Sequence, residues 1–463
     1  MNILFISIFD MTKVFYEISI NLEKEGHTVF WIANSPKWYE WLLERNVAID
    51  KILFLDVTQD SLKKNTLPID IVTQMNICEE VSGLTFNNTI LIDRFLVNYD
   101  ENYINEVTKT YYYRMKTFLE NNKVNTVFSE PTNLHELMCY MICKELNIRY
   151  IAPWDMRFPS YRLIFIESIY QNKLLSRVPA KEQLDGEIIL EDFIIRKPTP
   201  SYFHIINKKT SYTSYFRKIM KKILGFINVE TSLTHYLIKD RIVESIQKYF
   251  GKFYLNNITK RTTLSEKFTY ALYPLHVQPE NSIDVLGAFS SNQVELIKNI
   301  VRSLPYGMKL IVKEHANSFG AKGVNFYRDV KNIKNVVVIN SKISNFELYK
   351  RVKLVLSISG TSCYESAMLG IPSIVFAQMY FDDFSCIRYV KDIKNLQLTI
   401  LELLNQKERD MKHDISIMQK LLDNSYNCYW TDPLHNEAVL EEKNIKCLSN
   451  AFLSVTSSLE NSE

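Results

Sequence analysis

The chain has 463 residues, 46% of them hydrophobic and 23% charged, with a formal net charge of +3. That length exceeds one ordinary core and implies two or three domains, and the near-neutral balance excludes a global basic field of the kind that attracts nucleic acid. Only 11 glycines occur, and neither a G-x-G-x-x-G nor a G-x4-G-K-[ST] run is present, so a dehydrogenase-type dinucleotide loop and a P-loop lose their main support.

In chain order, residues 2–8 predict a first β-strand. The opening stretch is too short, and lacks the basic lead, of a secretory signal. A helix over 15–24 stops at Gly26; strand 28–33, helix 38–45 and strand 51–55 follow. Residues 60–95 carry too weak a periodicity to assign. A long helix over about 100–121 precedes strand 124–128, which ends in Ser129-Glu130-Pro131-Thr132. Helix 134–146 and strand 148–151 complete the block. Strands alternating with helices imply right-handed crossovers and a parallel sheet. On the 134–146 helix, His135, Cys139 and Cys143 share one face; lacking a fourth ligand, they read as core rather than as a metal site. The seven cysteines are scattered and odd in number, which suits reduced thiols in a cytoplasmic protein.

Residues 161–267 break the rhythm. The stretch 174–200 reads as a loop or linker with one short helix. Lys208, Lys209, Arg217, Lys218, Lys221 and Lys222, interleaved with Phe216, Ile219, Ile223 and Leu224, predict a basic amphipathic helix. Such a helix suits either an anionic membrane surface or packing on its own protein. A second alternating block fills 268–390, with strands at 270–273, 309–312, 336–339, 354–358 and 373–376 and helices at 291–303, 323–330, 344–350 and 362–369. The tail, 391–463, is mostly helical, and a helix near 436–454 is placed to cross back to the first domain. No apolar run approaches the roughly 18 residues of a membrane span.

Ser359-Gly360-Thr361-Ser362 stands between two of these strands, with Glu365 and then Gly370-Ile371-Pro372 behind it. A strand that ends in small residues and opens a helix offers free N–H groups and hydroxyls to a phosphate. Glu365 lies about one turn further on and is placed to reach a ribose hydroxyl. As a plain strand–helix turn, the same residues would serve only as a helix N-cap. Upstream stand Tyr273-Pro274-Leu275-His276-Val277-Gln278-Pro279-Glu280 and, at the end of an apolar strand, Lys313-Glu314-His315.

Taken in order over about 268–380, these segments resemble the capsule-polysaccharide synthesis glycosyltransferases, a group that includes transferases of Kdo and related ulosonic acids. One departure is visible: Ala316 stands where the family usually has Pro. The resemblance implies an α/β fold of the GT-B type, with two Rossmann-like doubly wound domains facing a cleft, a helical insertion and a helical C-terminal tail. The domains would be 1–160 on the acceptor side, 161–267 as linker and insertion, 268–390 for the nucleotide sugar, and 391–463 as closing helices. The implied reaction transfers a CMP-activated ulosonic acid to a glycan or lipid-linked glycan, for a bacterial surface polysaccharide. A UDP-hexose-dependent GT-B enzyme and a UDP-GlcNAc 2-epimerase-like enzyme are the alternatives, and a non-enzymatic assembly partner is a further one.

Ligands of open α/β sheets sit at the carboxyl ends of strands, and the singled-out residues fall there. Lys313, His315, Ser359, Gly360, Thr361, Ser362 and Glu365 are the expected nucleotide contacts, stabilising the leaving phosphate. Glu280, His276 and Glu130 are the candidate catalytic residues, with Asp10 a further carboxylate able to act as base or nucleophile. Asp10, Asp155, Arg157 and Gln278 are candidates for the donor or acceptor sugar, and Arg162 is a second cation beside Arg157. No D-x-D ends an apolar strand, so no obligatory metal is expected and no cofactor beyond the nucleotide-sugar substrate. The protein is expected in the cytoplasm, with peripheral association at the inner membrane face.

Overall fold

The computed structural model describes residues 1–56, 67–93, 95–96, 99–176, 184–198, 238–260, 262–406, 408–431, 433–434 and 436–460. The basic segment 208–222 lies outside the described residues.

The first sheet is built from β1 (Asn2–Ile6), β2 (Thr28–Ala33), β3 (Ile52–Phe54), β4 (Thr126–Phe128), β5 (Arg149–Asp155) and β6 (Leu163–Ile166). Its strand order is β3-β2-β1-β4-β5-β6, parallel except for the antiparallel edge pair β5 and β6. The strands are apolar runs because helices cover both faces. Alternation along β1 decides which side chain meets which layer. Leu4 and Ile6 pack with the helices Ile71–Ser82, Glu101–Asn121 and Leu134–Glu145, whereas Ile3 and Phe5 face α1 (Met11–Lys24) and the final helix, Glu442–Glu460.

That final helix closes the first domain. Leu448, Ala451, Phe452, Val455 and Leu459 are buried at helical spacing, and the Phe452 ring lies 4.8 Å from Phe128 and 6.0 Å from Phe5. The crossing expected near 436–454 is therefore present, a few residues further along the chain.

The second sheet contains β7 (Thr269–Pro274), β8 (Met308–Lys313), β9 (Val336–Ile339), β10 (Leu354–Ser357), β11 (Ser373–Val375) and β12 (Ile387–Tyr389), all parallel, in the order β12-β11-β10-β7-β8-β9. Counted from its own first strand, each sheet runs 3-2-1-4-5-6, the doubly wound Rossmann order. Each therefore has a switch point, between β1 and β4 and between β7 and β10, where the connections diverge and leave a crevice.

The sequence left several elements unassigned. Helices Ile71–Ser82 and Phe86–Ile92 occupy the weakly periodic stretch. The hydrophobic face of the first is broken by exposed Val72, Ile77 and Val81, which blurs its period. β6 extends the first sheet to Ile166, past the boundary drawn at 160, and β12 is too short to register as a pattern. Helix Gly186–Arg196 is the short one expected within 174–200, whereas Ile238–Thr259 stands unassigned in the region read as insertion. No helix among the described residues is long and apolar enough to cross a membrane.

Candidate functional site

A cleft of about 300 Å³ opens at the β7/β10 switch point. Its floor is the turn after β10. His276, buried after β7, holds that turn in shape: its Nε2 accepts from the Ile358 amide (3.1 Å) and lies 2.9 Å from the Ser357 hydroxyl. Ser357 Oγ in turn accepts from the Gly360 N–H at 2.9 Å. A Cβ at Gly360 would stand 2.4 Å from that same oxygen, so the close approach requires glycine. The helix Thr361–Met368 starts at this point with Gly360 as its N-cap. Its leading N–H groups have no partner inside the helix, and Gly360, Thr361 and Ser362 all line the cleft.

Burial, with the charges of His315 and Lys322 adding to it, pushes the His276 imidazole down to about 3. The ring is neutral at ordinary pH, and because Nε2 accepts, its proton sits on Nδ1. Of the catalytic roles open to the residue named from the sequence, proton abstraction does not suit so weak a base; positioning the turn after β10 does.

The Lys-Glu-His segment divides its labour. His315 lines the cleft, with Nδ1 accepting from the Asn317 amide at 3.2 Å. Burial and the neighbouring Lys322 and Lys313 lower it to about 4, so it too is neutral. Glu314, assigned no role from the sequence, is fully buried and accepts from the Ser318 hydroxyl (2.8 Å), Lys322 Nζ (3.0 Å) and the Tyr327 hydroxyl (2.6 Å). It anchors the loop that carries His315. Lys313 does not line the cleft. It is buried and donates to Asn345 Oδ1 at 2.6 Å, and it is Asn345 that reaches the wall. Burial, partly offset by Glu365 and Glu347, lowers its ammonium to about 8.

Glu365 also departs from expectation. It is buried, accepts from the Tyr349 hydroxyl at 2.8 Å and is absent from the cleft wall. Burial raises it to about 7 against the opposing effects of Tyr349 and Lys313. The Tyr349 hydroxyl bond holds the position 365 carboxyl toward the Asn345–Tyr349 helix, away from the cleft. Ser359 lines the cleft with its hydroxyl donated to the Ser282 carbonyl.

Glu280 caps the short helix Asn281–Asp284 and is exposed within the cleft wall, its Oε2 accepting from the Ser282 hydroxyl at 3.0 Å. Gln278 is not in that wall. Its amide is used locally, donating to Asp284 Oδ1 (3.0 Å) and accepting from Gln293 (3.3 Å).

The first domain supplies the opposite wall through Trp154, Asp155, Arg157 and Gln171. Arg157, in the left-handed region at φ +64°, folds back so that its guanidinium meets Asp155 at 3.2 Å. Tyr364 donates to the Phe158 carbonyl at 3.0 Å and Tyr380 to that of Met156, which fastens this strand end to the second domain. Trp154 Nε1 and Gln171 Oε1 are buried without hydrogen-bond partners among the described residues. A buried polar atom left this way costs about 1–3 kcal/mol, and both side chains belong to the cleft wall. Gln171 gave no sequence signal, since it stands in an irregular loop.

Glu130 follows β4. It is partly buried, accepts from the Trp430 indole at 2.8 Å, and feels the charges of Arg157, Glu136 and Asp155. Burial raises its carboxyl to about 7, the range suited to a general base at neutral pH. Besides Gln278, two more residues expected at the sugar fall elsewhere. Asp10 is the N-cap residue of α1 and pairs with Lys13 at 2.9 Å, outside the cleft wall. Arg162 donates to Ser425 Oγ at 2.6 Å and tethers the helix Met411–Asp423. His135, Cys139 and Cys143 are buried, the two cysteines within the first domain's core.

No protein-family model and no curated protein sequence matches this chain. Among solved structures, the UDP-GlcNAc 2-epimerase of Methanocaldococcus jannaschii is 14% identical, with 91% of this chain and 97% of that one covered and a TM-score of 0.27. The KpsC β-Kdo 2,7 transferase of Thermosulfurimonas dismutans is 10% identical over 73% of this chain and 89% of that one, at a TM-score of 0.32. The HepE protein of Anabaena, in complex with UDP and glucose, is 8% identical over 99% and 100%, at 0.31. At such identities and scores these neighbours assign no function to this chain.

Proposed function

We propose that the chain is a glycosyltransferase that takes a nucleotide-activated sugar in the β7/β10 cleft and passes the sugar to a glycan hydroxyl. The observation that carries this reading is the start of the Thr361–Met368 helix, which lines the cleft with its turn held in place by a neutral His276. Negative charge grows on the leaving phosphate during transfer, and preorganised N–H donors stabilise it without reorganising. His315 adds a neutral donor, because Nδ1 accepts and leaves the proton on Nε2. Glu130 acts as general base toward the acceptor hydroxyl, and Glu280 stands on the donor side of the cleft.

The donor in this proposal is a CMP-linked ulosonic acid, supported by the order of the His276–Glu280, Lys313–His315 and 359–362 segments. No obligatory metal takes part, so chelation leaves the rate unchanged. Peripheral attachment to an anionic membrane surface belongs to the same proposal through the basic residues of 208–222, and co-sedimentation with anionic liposomes at low and high salt tests it. The deciding experiment for the donor is thermal shift with CMP and UDP. A ligand at a hundred times its Kd stabilises the folded state by about 2.7 kcal/mol. A shift by CMP that exceeds the shift by UDP supports the reading; the reverse order points to a UDP-hexose donor, and no shift by any nucleotide removes the function.

A further inference from the structure

The first sheet has its own switch point, and a second, smaller pocket lies at its carboxyl edge. It encloses about 80 Å³. Three segments meet there: Ser7 and Phe9 after β1, Asn34 to Trp38 after β2, and the start of the Leu134–Glu145 helix. The sequence offered His135 only as a core residue. The structure places it in this pocket, buried beside Glu136 with 3.1 Å between Nε2 and Oε1. Asn34 Nδ2 lies 2.8 Å from the same ring nitrogen. Glu136 also accepts from the Thr132 hydroxyl (3.2 Å) and the Asn133 amide (2.8 Å). Asn133, in the same wall and 2% exposed, is the N-cap of the Leu134–Glu145 helix and forms a capping box with Glu136.

The mixture of groups selects the ligand. Although burial opposes its charge, His135 and the Asn133 amide hold the Glu136 carboxyl below its ordinary value, so it is ionised and repels an anion. Lys37, with its ammonium 4.8 Å from the Trp38 ring, disfavours a cation. What suits an ionised acceptor, side-chain amides, serine hydroxyls and a lysine together is a neutral group that both donates and accepts. Sugar hydroxyls do this. Phe9, 46% exposed, adds an aromatic face for the ring's C–H side. The volume admits the edge of one ring.

We propose that this pocket seats a neutral sugar residue, the terminal unit of the acceptor glycan. The proposal rests on the glycosyltransferase reading above. It gives that reading a second half: Glu130 follows β4 on the carboxyl edge of the first sheet, the edge at which this pocket lies, although it lines neither the pocket nor the cleft.

Saturation-transfer NMR on the full chain tests it, with methyl glycosides of glucose, galactose and N-acetylglucosamine as probes and the methyl glycoside of an acidic ulosonic acid beside them. The expected result is transfer to at least one neutral glycoside, at roughly millimolar affinity, weakened by about 10-fold, or 1.4 kcal/mol, in both Lys37→Ala and Ser35→Ala. Lys37 is exposed, so that variant keeps the fold. Binding confined to the acidic glycoside, binding that survives both substitutions, or no transfer from any neutral probe overturns the proposal. Nucleotide-induced thermal shifts on the same samples keep the two claims apart. A wild-type protein that shifts with nucleotide but ignores every neutral glycoside refutes the pocket alone; one that binds a neutral glycoside but no nucleotide refutes the transferase reading alone.

Discussion

The two switch points share a topology and differ in charge. At β7/β10 the crevice is floored by backbone N–H groups and hydroxyls, and its two histidines are neutral with lowered pKa values. At β1/β4 the equivalent positions carry carboxylates, Glu130 after β4 and Glu136 in the helix that follows. One crevice presents N–H and hydroxyl donors at its floor, and the strand end and helix start beside the other present carboxylate acceptors. The same strand order supplies both because it fixes only where a ligand sits; the residues at the strand ends decide what it is.

Substitutions that break one side and spare the other sharpen this contrast. The largest effect is expected from Glu130→Gln, which removes the base and lowers kcat/KM by about 10²- to 10⁴-fold while the nucleotide-induced thermal shift persists. Because the base works ionised, wild-type kcat/KM should rise with pH through about 7 and level off above it. Stability runs the other way. The folded-state pKa lies above the unfolded one, so the stabilising contribution of the protonated form is complete below the unfolded value and is lost as pH rises through about 7. Glu130→Gln should therefore gain heat stability relative to wild type above neutral pH. An unchanged pH–rate profile in wild type would assign the base elsewhere, with Glu280 next.

Gly360→Ala breaks the other side. The added Cβ would collide with Ser357 Oγ, so the phosphate-facing turn must move, and nucleotide affinity should fall by about 100-fold, a loss of about 2.7 kcal/mol. Binding of a neutral glycoside at the first sheet should be unaffected. His276→Ala strips the acceptor from the buried Ile358 amide, costing about 1–3 kcal/mol, and should lower Tm by several degrees as well as weaken nucleotide binding. A variant with wild-type Tm would mean that the turn holds itself. His315→Ala should act least on the fold and reduce nucleotide affinity by about 10-fold, or 1.4 kcal/mol; an equal drop in Tm with unchanged affinity would make it structural.

Much of the architecture was legible because parallel strands buried on both faces read as apolar runs, and nearly all twelve strands among the described residues announced themselves so. β6 and β12 did not, being edge strands of four and three residues. At the site, the positions after strand ends were readable, since a parallel sheet puts them on one edge. Side-chain direction was not. Lys313 and Glu365 sit at expected places in the chain yet turn into a buried network with Asn345 and Tyr349. Asp10 and Arg162 are spent on a lysine and on a neighbouring helix. Gln171 and Asn34 were invisible because a lone amide in a loop has no periodicity to betray it.

Hydrogen exchange of the full chain, with CMP and with UDP in separate samples, tests the central claim most directly. The amides of Thr361 and Ser362 should exchange more slowly when nucleotide is added, while those of Ser7, Ile8, Phe9, Asn34, Ser35 and Lys37 at the first sheet stay unchanged. Protection at the first sheet instead, or none at Thr361 and Ser362 with either nucleotide, would contradict the assignment of the β7/β10 crevice to the phosphate.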